Sequence, residues 1–201
     1  MVSRCVAARI AGAEPHMGLM QELQENYAAL YGELHKNDKR FPGSSIRVYV
    51  DELAELVKET GAQRLLDYGS GKGYQYLVMR VHERWGGILP HCYDVGVRQL
   101  SKRPEGVFTG IICTDVMEHI AERDVDAILA DIFSFSDRSK PSFVLFGISI
   151  RPSAREGKKL PDGRPVHLTV RPPDWWERKL KPFKRDGLTL HTRYEGDSVC
   201  R

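Results

Sequence analysis

The stretch that most constrains this chain is Asp67-Tyr68-Gly69-Ser70-Gly71-Lys72-Gly73. It closes Arg64-Leu65-Leu66-Asp67-Tyr68, which reads as a short buried strand, and it opens Tyr74 to Trp85, which reads as a helix. A glycine-rich turn from strand to helix lets a ligand approach the backbone closely at the positive end of the helix. Spacing separates the ligands that use such turns. A phosphate loop needs Gly-x-x-x-x-Gly-Lys-Ser/Thr; here Leu66 occupies the first glycine position and Gly73 follows Lys72. A dinucleotide turn needs Gly-x-Gly-x-x-Gly, and its last position is Tyr74.

Around this turn the chain alternates strand and helix patterns. From Met17 to Lys36 apolar residues recur at helical spacing (Leu19, Leu23, Tyr27, Leu30, Leu34). Phe41-Pro42-Gly43-Ser44-Ser45 breaks that pattern, and Ser45 is placed to cap a second helix that Gly61 ends. Further strands are expected at Ile88 to Tyr93, Gly110 to Thr114 and Ser142 to Ile150, with a helix from Glu122 to Phe133. This alternation predicts an α/β fold, a mostly parallel sheet with helices on both faces. Arg151 to Pro173 turns to Pro, Gly, Arg and Lys, the composition of a long functional loop. A helix then starts near Asp174, and Leu188–His191 with Asp197–Cys200 reads as a terminal antiparallel hairpin.

The organisation expected is a frayed 1–15 followed by one domain over 16–201. That domain has a helical cap at 16–60, a ligand-binding core at 61–150, and a lid loop, helix and hairpin at 151–201. At 201 residues the chain can bury a core without staples, and a 41% apolar, 28% charged composition is that of a globular protein. A net charge of +3 neither demands nor excludes nucleic acid. Cys5, Cys92, Cys113 and Cys200 form no Cys-x-x-Cys pair, which argues against a zinc knuckle and for free thiols in a reducing compartment. No apolar run approaches the roughly 18 residues of a membrane span, and Arg9 interrupts any signal-peptide core. A cytoplasmic protein is the expectation.

Asp67-x-Gly69-x-Gly71-x-Gly73 resembles the first motif of the class I S-adenosylmethionine (SAM) methyltransferases. Asp94 ends the next strand 21 residues after Gly73, a spacing at which an acid pairs with ribose hydroxyls in nucleotide folds. Gly110-Ile111-Ile112-Cys113-Thr114-Asp115-Val116-Met117-Glu118-His119 is similar to the fourth-strand motif of the small-molecule members, where an acid-x-x-Glu-His run borders the substrate pocket. The resemblance spans roughly residues 53–180. It implies a Rossmann-like, doubly wound sheet, SAM as cofactor, and a small-molecule methyl acceptor. It assigns Asp67 to the methionine amine, Gly69, Gly71 and Gly73 to the cofactor loop, and Asp94 to the ribose. Tyr68, Tyr74, Thr114 and Asp115 join the cofactor contacts. Asp115, Glu118, His119 and His167 face the acceptor, with His119 or His167 as general base. The family fits a helix and a third strand, which contacts adenine, between Asp94 and Phe108. Only 13 residues lie there in this chain. The middle is therefore shortened and its adenine contacts are unassigned.

Enzymes that methylate exocyclic amines of DNA bases carry Asn/Asp-Pro-Pro-aromatic after the fourth strand; this chain has Thr114-Asp115-Val116-Met117, so nucleic acid is not the expected partner. On a helix start, Asp115, Glu118 and His119 share one face and, with His167, form a ligand set for magnesium or manganese. Ubiquinone-pathway O-methyltransferases and small-RNA 3′-terminal 2′-O-methyltransferases show comparable patterns. The primary expectation is nevertheless a metal-free site, since acid-x-x-Glu-His runs also occur in metal-free relatives. The alternatives are a metal-dependent RNA 3′-terminal 2′-O-methyltransferase and a non-catalytic SAM- or nucleotide-binding module. Of Trp175 and Trp176, one is expected in the core and the other near the pocket, because adjacent helix positions diverge by about 100°.

Overall fold

The computed structural model describes residues 13–36, 41, 43–153 and 159–196. Helix α1 (Ala13–His35) leads. A 3-10 segment, Ser44–Tyr49, runs into α2 (Val50–Thr60), which Gly61 ends in the left-handed conformation with its N–H on the Val57 carbonyl. The remaining elements are β1 (Leu65–Tyr68), α3 (Tyr74–Leu77), β2 (His91–Tyr93), β3 (Gly110–Thr114), α4 (Val125–Ser134), β4 (Ser142–Ser149), α5 (Pro173–Leu180) and β5 (Leu188–Glu195). The strands form one sheet in the order β2-β1-β3-β4-β5, parallel at every pair. This is a Rossmann-like α/β fold.

Both faces of the sheet are covered, so its central strands are apolar throughout. All of β3 and all but the last residue of β4 are buried. One core holds Leu66, Ile111, Val144 and Phe146 beneath α1, α4 and α5. The other holds Leu65, Ile112, Phe143 and Leu145 beneath α2 and the Val81–Trp85 turn. The chain leaves β1 for β2 on one side and returns to β3 on the other. The order therefore reverses beside β1, and ligands of such sheets bind in the crevice at the carboxyl ends of the strands there. Among the described residues no helix is long and apolar enough to cross a membrane.

Several expected elements differ. Tyr74 to Trp85 is not one helix: α3 stops at Leu77, Arg80 takes φ 51°, and a separate 3-10 turn covers Val81–Trp85. Tyr76, Val81 and Trp85 all pack on one core, and at about 100° per residue a straight helix would turn Trp85 away from Tyr76. The strand expected from Ile88 begins at His91, directly after Pro90, which has no N–H to donate to a ladder. Ser45 does not cap a helix; left-handed Gly43 precedes the segment instead. Leu188–His191 is not one arm of a hairpin, because pairing to β4 continues in parallel from Leu188 to Glu195. Asp197–Cys200 lies outside the described residues, as do Cys5 and most of the leader. Between Asp94 and Phe108 the backbone forms only a 3-10 turn, Arg98–Leu100, and no strand.

Candidate functional site

A cavity of about 590 Å³ opens at the carboxyl ends of β1, β2, β3, β4 and β5. That is the size range of small-molecule and cofactor sites. Gly69 and Gly71 of the glycine turn form part of its wall. Both take positive φ, and both are tightly approached. A Cβ on Gly69 would meet Val116 Cγ2 at 2.2 Å, and one on Gly71 would meet the Phe41 carbonyl oxygen at 2.5 Å. Only glycine permits this path.

Asp94 anchors the turn. Its Oδ2 accepts from the Gly71 N–H and its Oδ1 from the Gly96 N–H, each at 2.8 Å. His35 Nε2, from the last turn of α1, lies 3.6 Å from Oδ1. Burial lifts the Asp94 carboxyl above its ordinary range despite His35 and the two amides, and burial lowers the His35 imidazole. Desolvation here opposes the pair's attraction, so the contact is not a strong ion pair.

Of the cofactor residues expected from sequence, Tyr68, Gly69, Gly71, Asp94, Thr114 and Asp115 line the cavity; Asp67, Gly73 and Tyr74 do not. Asp67 lies beneath the turn, where its Oδ2 accepts from Gln75 Nε2 at 3.0 Å and from the Tyr76 hydroxyl at 2.8 Å. Strand alternation explains the split, because adjacent Asp67 and Tyr68 point to opposite faces. Tyr74 is solvent-exposed. Trp176 is fully buried and Trp175 sits outside the cavity, with Lys179 Nζ 5.2 Å from its ring.

Asp67 predicts a measurable pH dependence. Burial outweighs its two hydrogen bonds and raises it from 3.8 to about 6. A raised carboxyl favours folding while it is protonated, and that contribution is lost as pH climbs from about 4 to 6. Asp67→Asn has no proton to lose. Denaturant unfolding is expected to show the variant gaining about 2–3 kcal/mol relative to wild type between pH 4 and pH 7. Parallel stability–pH curves for the two proteins would contradict this.

The acceptor residues expected from sequence converge in part. Glu118, His119 and His167 bring ligand-capable atoms within 4.8 Å of one another; Asp115 is outside that trio. The 151–173 loop delivers His167. Leu168 and Thr169 donate N–H groups to the Glu118 carbonyl at 2.7 and 3.0 Å, and the Thr169 hydroxyl donates to the Ile120 carbonyl at 2.7 Å. His119 Nδ1 sits 2.8 Å from the Val166 carbonyl, and His167 Nδ1 sits 2.8 Å from the Arg151 carbonyl. A carbonyl can only accept, so both rings carry hydrogen on Nδ1 and leave Nε2 as the basic or ligating atom. Glu118 is 1% exposed; its Oε1 accepts from the Ser149 N–H at 3.2 Å and its Oε2 has no partner among the described residues. Burial, then Asp115, push Glu118 well above the carboxylate range.

Asp115 takes φ 55°, unusual outside glycine, and burial together with Glu195 raises it to about 6. Glu195, at the end of β5, accepts from the Tyr49 hydroxyl at 2.6 Å. Sequence reasoning missed Glu195 because β5 was not expected to run parallel and end at this rim. It also missed His35, Gln24 and Tyr93, and it placed Ser45 at a helix cap; the structure puts Ser45 in the cavity wall with a hydrogen bond to Asp115. Helix α1 closes the cavity. The Tyr31 hydroxyl donates to the His119 carbonyl at 2.9 Å, and the Tyr27 hydroxyl donates to Asp124 Oδ2 at 2.9 Å. Four carboxyl groups line the space, Asp94, Asp115, Glu118 and Glu195, and no Lys or Arg side chain does among the described residues. The lining offers a phosphate no cation, and a cationic ligand would draw these raised carboxyls back toward their charged form.

A scan against protein-family models and a search of curated proteins find no match to this chain.

Proposed function

We propose that the cavity binds SAM and that the protein transfers its methyl group to an oxygen or nitrogen of a small molecule. One observation carries this reading. The glycine turn and Asp94, joined by the Gly71 N–H, meet at the sheet's switch point in a cavity lined by carboxyl groups. A sulfonium cofactor carries positive charge and a ribose diol and has no phosphate, which matches that lining. In the transfer, the acceptor's lone pair attacks the methyl carbon in line as the carbon–sulfur bond breaks and sulfur keeps the electron pair. The acceptor's proton passes to Nε2 of His119 or His167. The residues around the cavity contribute alignment and exclusion of water. Titration with S-adenosylhomocysteine tests the reading: binding is expected, and no binding under any condition would sink it.

A second reading has its own support. Two imidazoles held at Nδ1 by backbone carbonyls, beside a buried carboxyl oxygen with no partner among the described residues, are the arrangement that orients metal ligands. Glu118, His119 and His167 would hold the ion, and their mixed nitrogen–oxygen set suits manganese better than magnesium. A bound ion there would acidify an acceptor hydroxyl, as the RNA 3′-terminal alternative requires. Manganese titration of His167→Ala is expected to show affinity at least about tenfold below wild type. A metal-free site predicts no manganese binding to either protein. The non-catalytic module remains distinguishable as cofactor binding without turnover on any acceptor.

A further inference from the structure

The shortened segment after Asp94 leaves the end of the cavity beside β2 without the strand that would normally wall it. The cavity lining includes Leu23 and Gln24 of α1, Tyr68 and Tyr93 at the ends of β1 and β2, Val95, and Ile128 of α4. Two of them carry buried polar atoms with no hydrogen-bond partner among the described residues, Gln24 Nε2 and the Tyr93 hydroxyl. Buried polar groups are rarely left unpaired unless a ligand or water completes them.

Their placement is constrained through α4. Tyr27, one turn after Gln24, is tied to Asp124 at the start of α4. Tyr68, whose ring meets that of Tyr93 at 5.1 Å, is tied to Asp131 at 3.0 Å. Asp131 is in turn fixed by Arg103 at 2.7 Å. Asp124 and Asp131 are two turns apart, about 10 Å along the helix. Ile128 lies between them. Val95 directly follows Asp94, so a base on a ribose held by Asp94 would lie beside Val95. Glu118 bonds to the end of β4, which is separated from β2 by β1 and β3.

We infer that Gln24 and Tyr93 read the edge of an adenine ring, with Leu23, Val95 and Ile128 as its apolar walls. The N-terminal helix thus supplies the base recognition that the missing strand would have given. A glutamine amide offers a donor and an acceptor together, which pairs with the 6-amino group and N7 of adenine; the same edge of hypoxanthine carries two acceptors and does not match. A tyrosine hydroxyl both donates and accepts and completes the second edge. This inference rests on the proposed SAM reading of the same cavity.

The test is calorimetric titration of wild type, Gln24→Ala and Tyr93→Phe with S-adenosylhomocysteine and with its 6-oxo analogue, S-inosylhomocysteine. Thermal melts establish that each variant is folded. Wild type is expected to prefer the adenine compound by at least about tenfold. Each variant is expected to lose about fivefold in affinity for it, and Gln24→Ala to lose most of the preference. Full affinity and full preference in both folded variants would overturn the assignment while leaving the cofactor reading intact. Should wild type bind neither compound, the cofactor reading fails, and adenosine is then titrated alone. Adenosine binding weakened by Gln24→Ala supports the base site by itself, and no adenosine binding overturns it too.

Discussion

Asp94→Ala is expected to weaken S-adenosylhomocysteine binding by about 100- to 1,000-fold. A carboxylate has roughly four lone-pair positions. The Gly71 and Gly96 amides take two of them, one on each oxygen, at 2.8 Å. The other two remain for a cis-diol, and each hydrogen bond to a charged oxygen contributes about 1.5–2 kcal/mol. Their sum gives the stated factor. Alanine also releases the Gly71 N–H, so hydrogen exchange at the glycine turn should quicken in the unliganded variant. Asp94→Asn keeps one carbonyl oxygen and is expected to fall between wild type and alanine. Calorimetry decides this: equal affinity in wild type and Asp94→Ala would show that the carboxylate faces no diol.

The largest effect on stability is expected at Trp176. Its side chain is fully buried in the core that joins α5 to β4 and α4. Trp176→Ala removes that contact area and leaves a cavity, at a cost of about 3–5 kcal/mol. For a chain of this length the melting temperature should fall by roughly 2–4 °C per kcal/mol. The indole N–H has no partner among the described residues. Trp176→Phe therefore relieves an unsatisfied donor while keeping most of the packing, and it is expected to cost less than half as much. Trp175→Ala is the contrast. Trp175 is half-buried with Arg171 and Lys179 near its ring, and its loss is expected to cost about 1 kcal/mol. Equal losses at the two tryptophans would contradict the burial difference.

Much of the fold was legible where local chemistry decides it. Gly110 to Thr114 is a strand with the expected ends, because a run of buried apolar residues bounded by glycine and aspartate has few alternatives. Gly61 stops a helix for the same kind of reason: it adopts a left-handed conformation that side chains resist. The region from Tyr74 to Trp85 was misread because helical propensity is continuous there. The break comes from the need to seat Tyr76, Val81 and Trp85 on one core. The last strand was misread because only pairing to β4 sets its direction and length. That same error hid Glu195, whose place at the cavity rim follows from the strand running parallel.

The chain's own order of residues determined that a glycine turn joins a strand to a helix, that an acid follows the second strand, and that Glu118 and His119 follow the third. These are properties of adjacent positions and of backbone conformations that only certain residues tolerate. Tertiary structure decided which acids face the cavity. Asp67 and Asp94 look equivalent in sequence, each an acid in or at the end of a strand. Asp67 is held by Gln75 and Tyr76 below the turn, and Asp94 stands in the cavity wall. It also decided that His167, 48 positions from His119 in the chain, comes to lie beside it with ring centroids 5.0 Å apart. The physical reason is that side-chain direction on a strand has a period of two and is fixed only by its pairing partners, while long-range approach depends on how the helices close over the sheet.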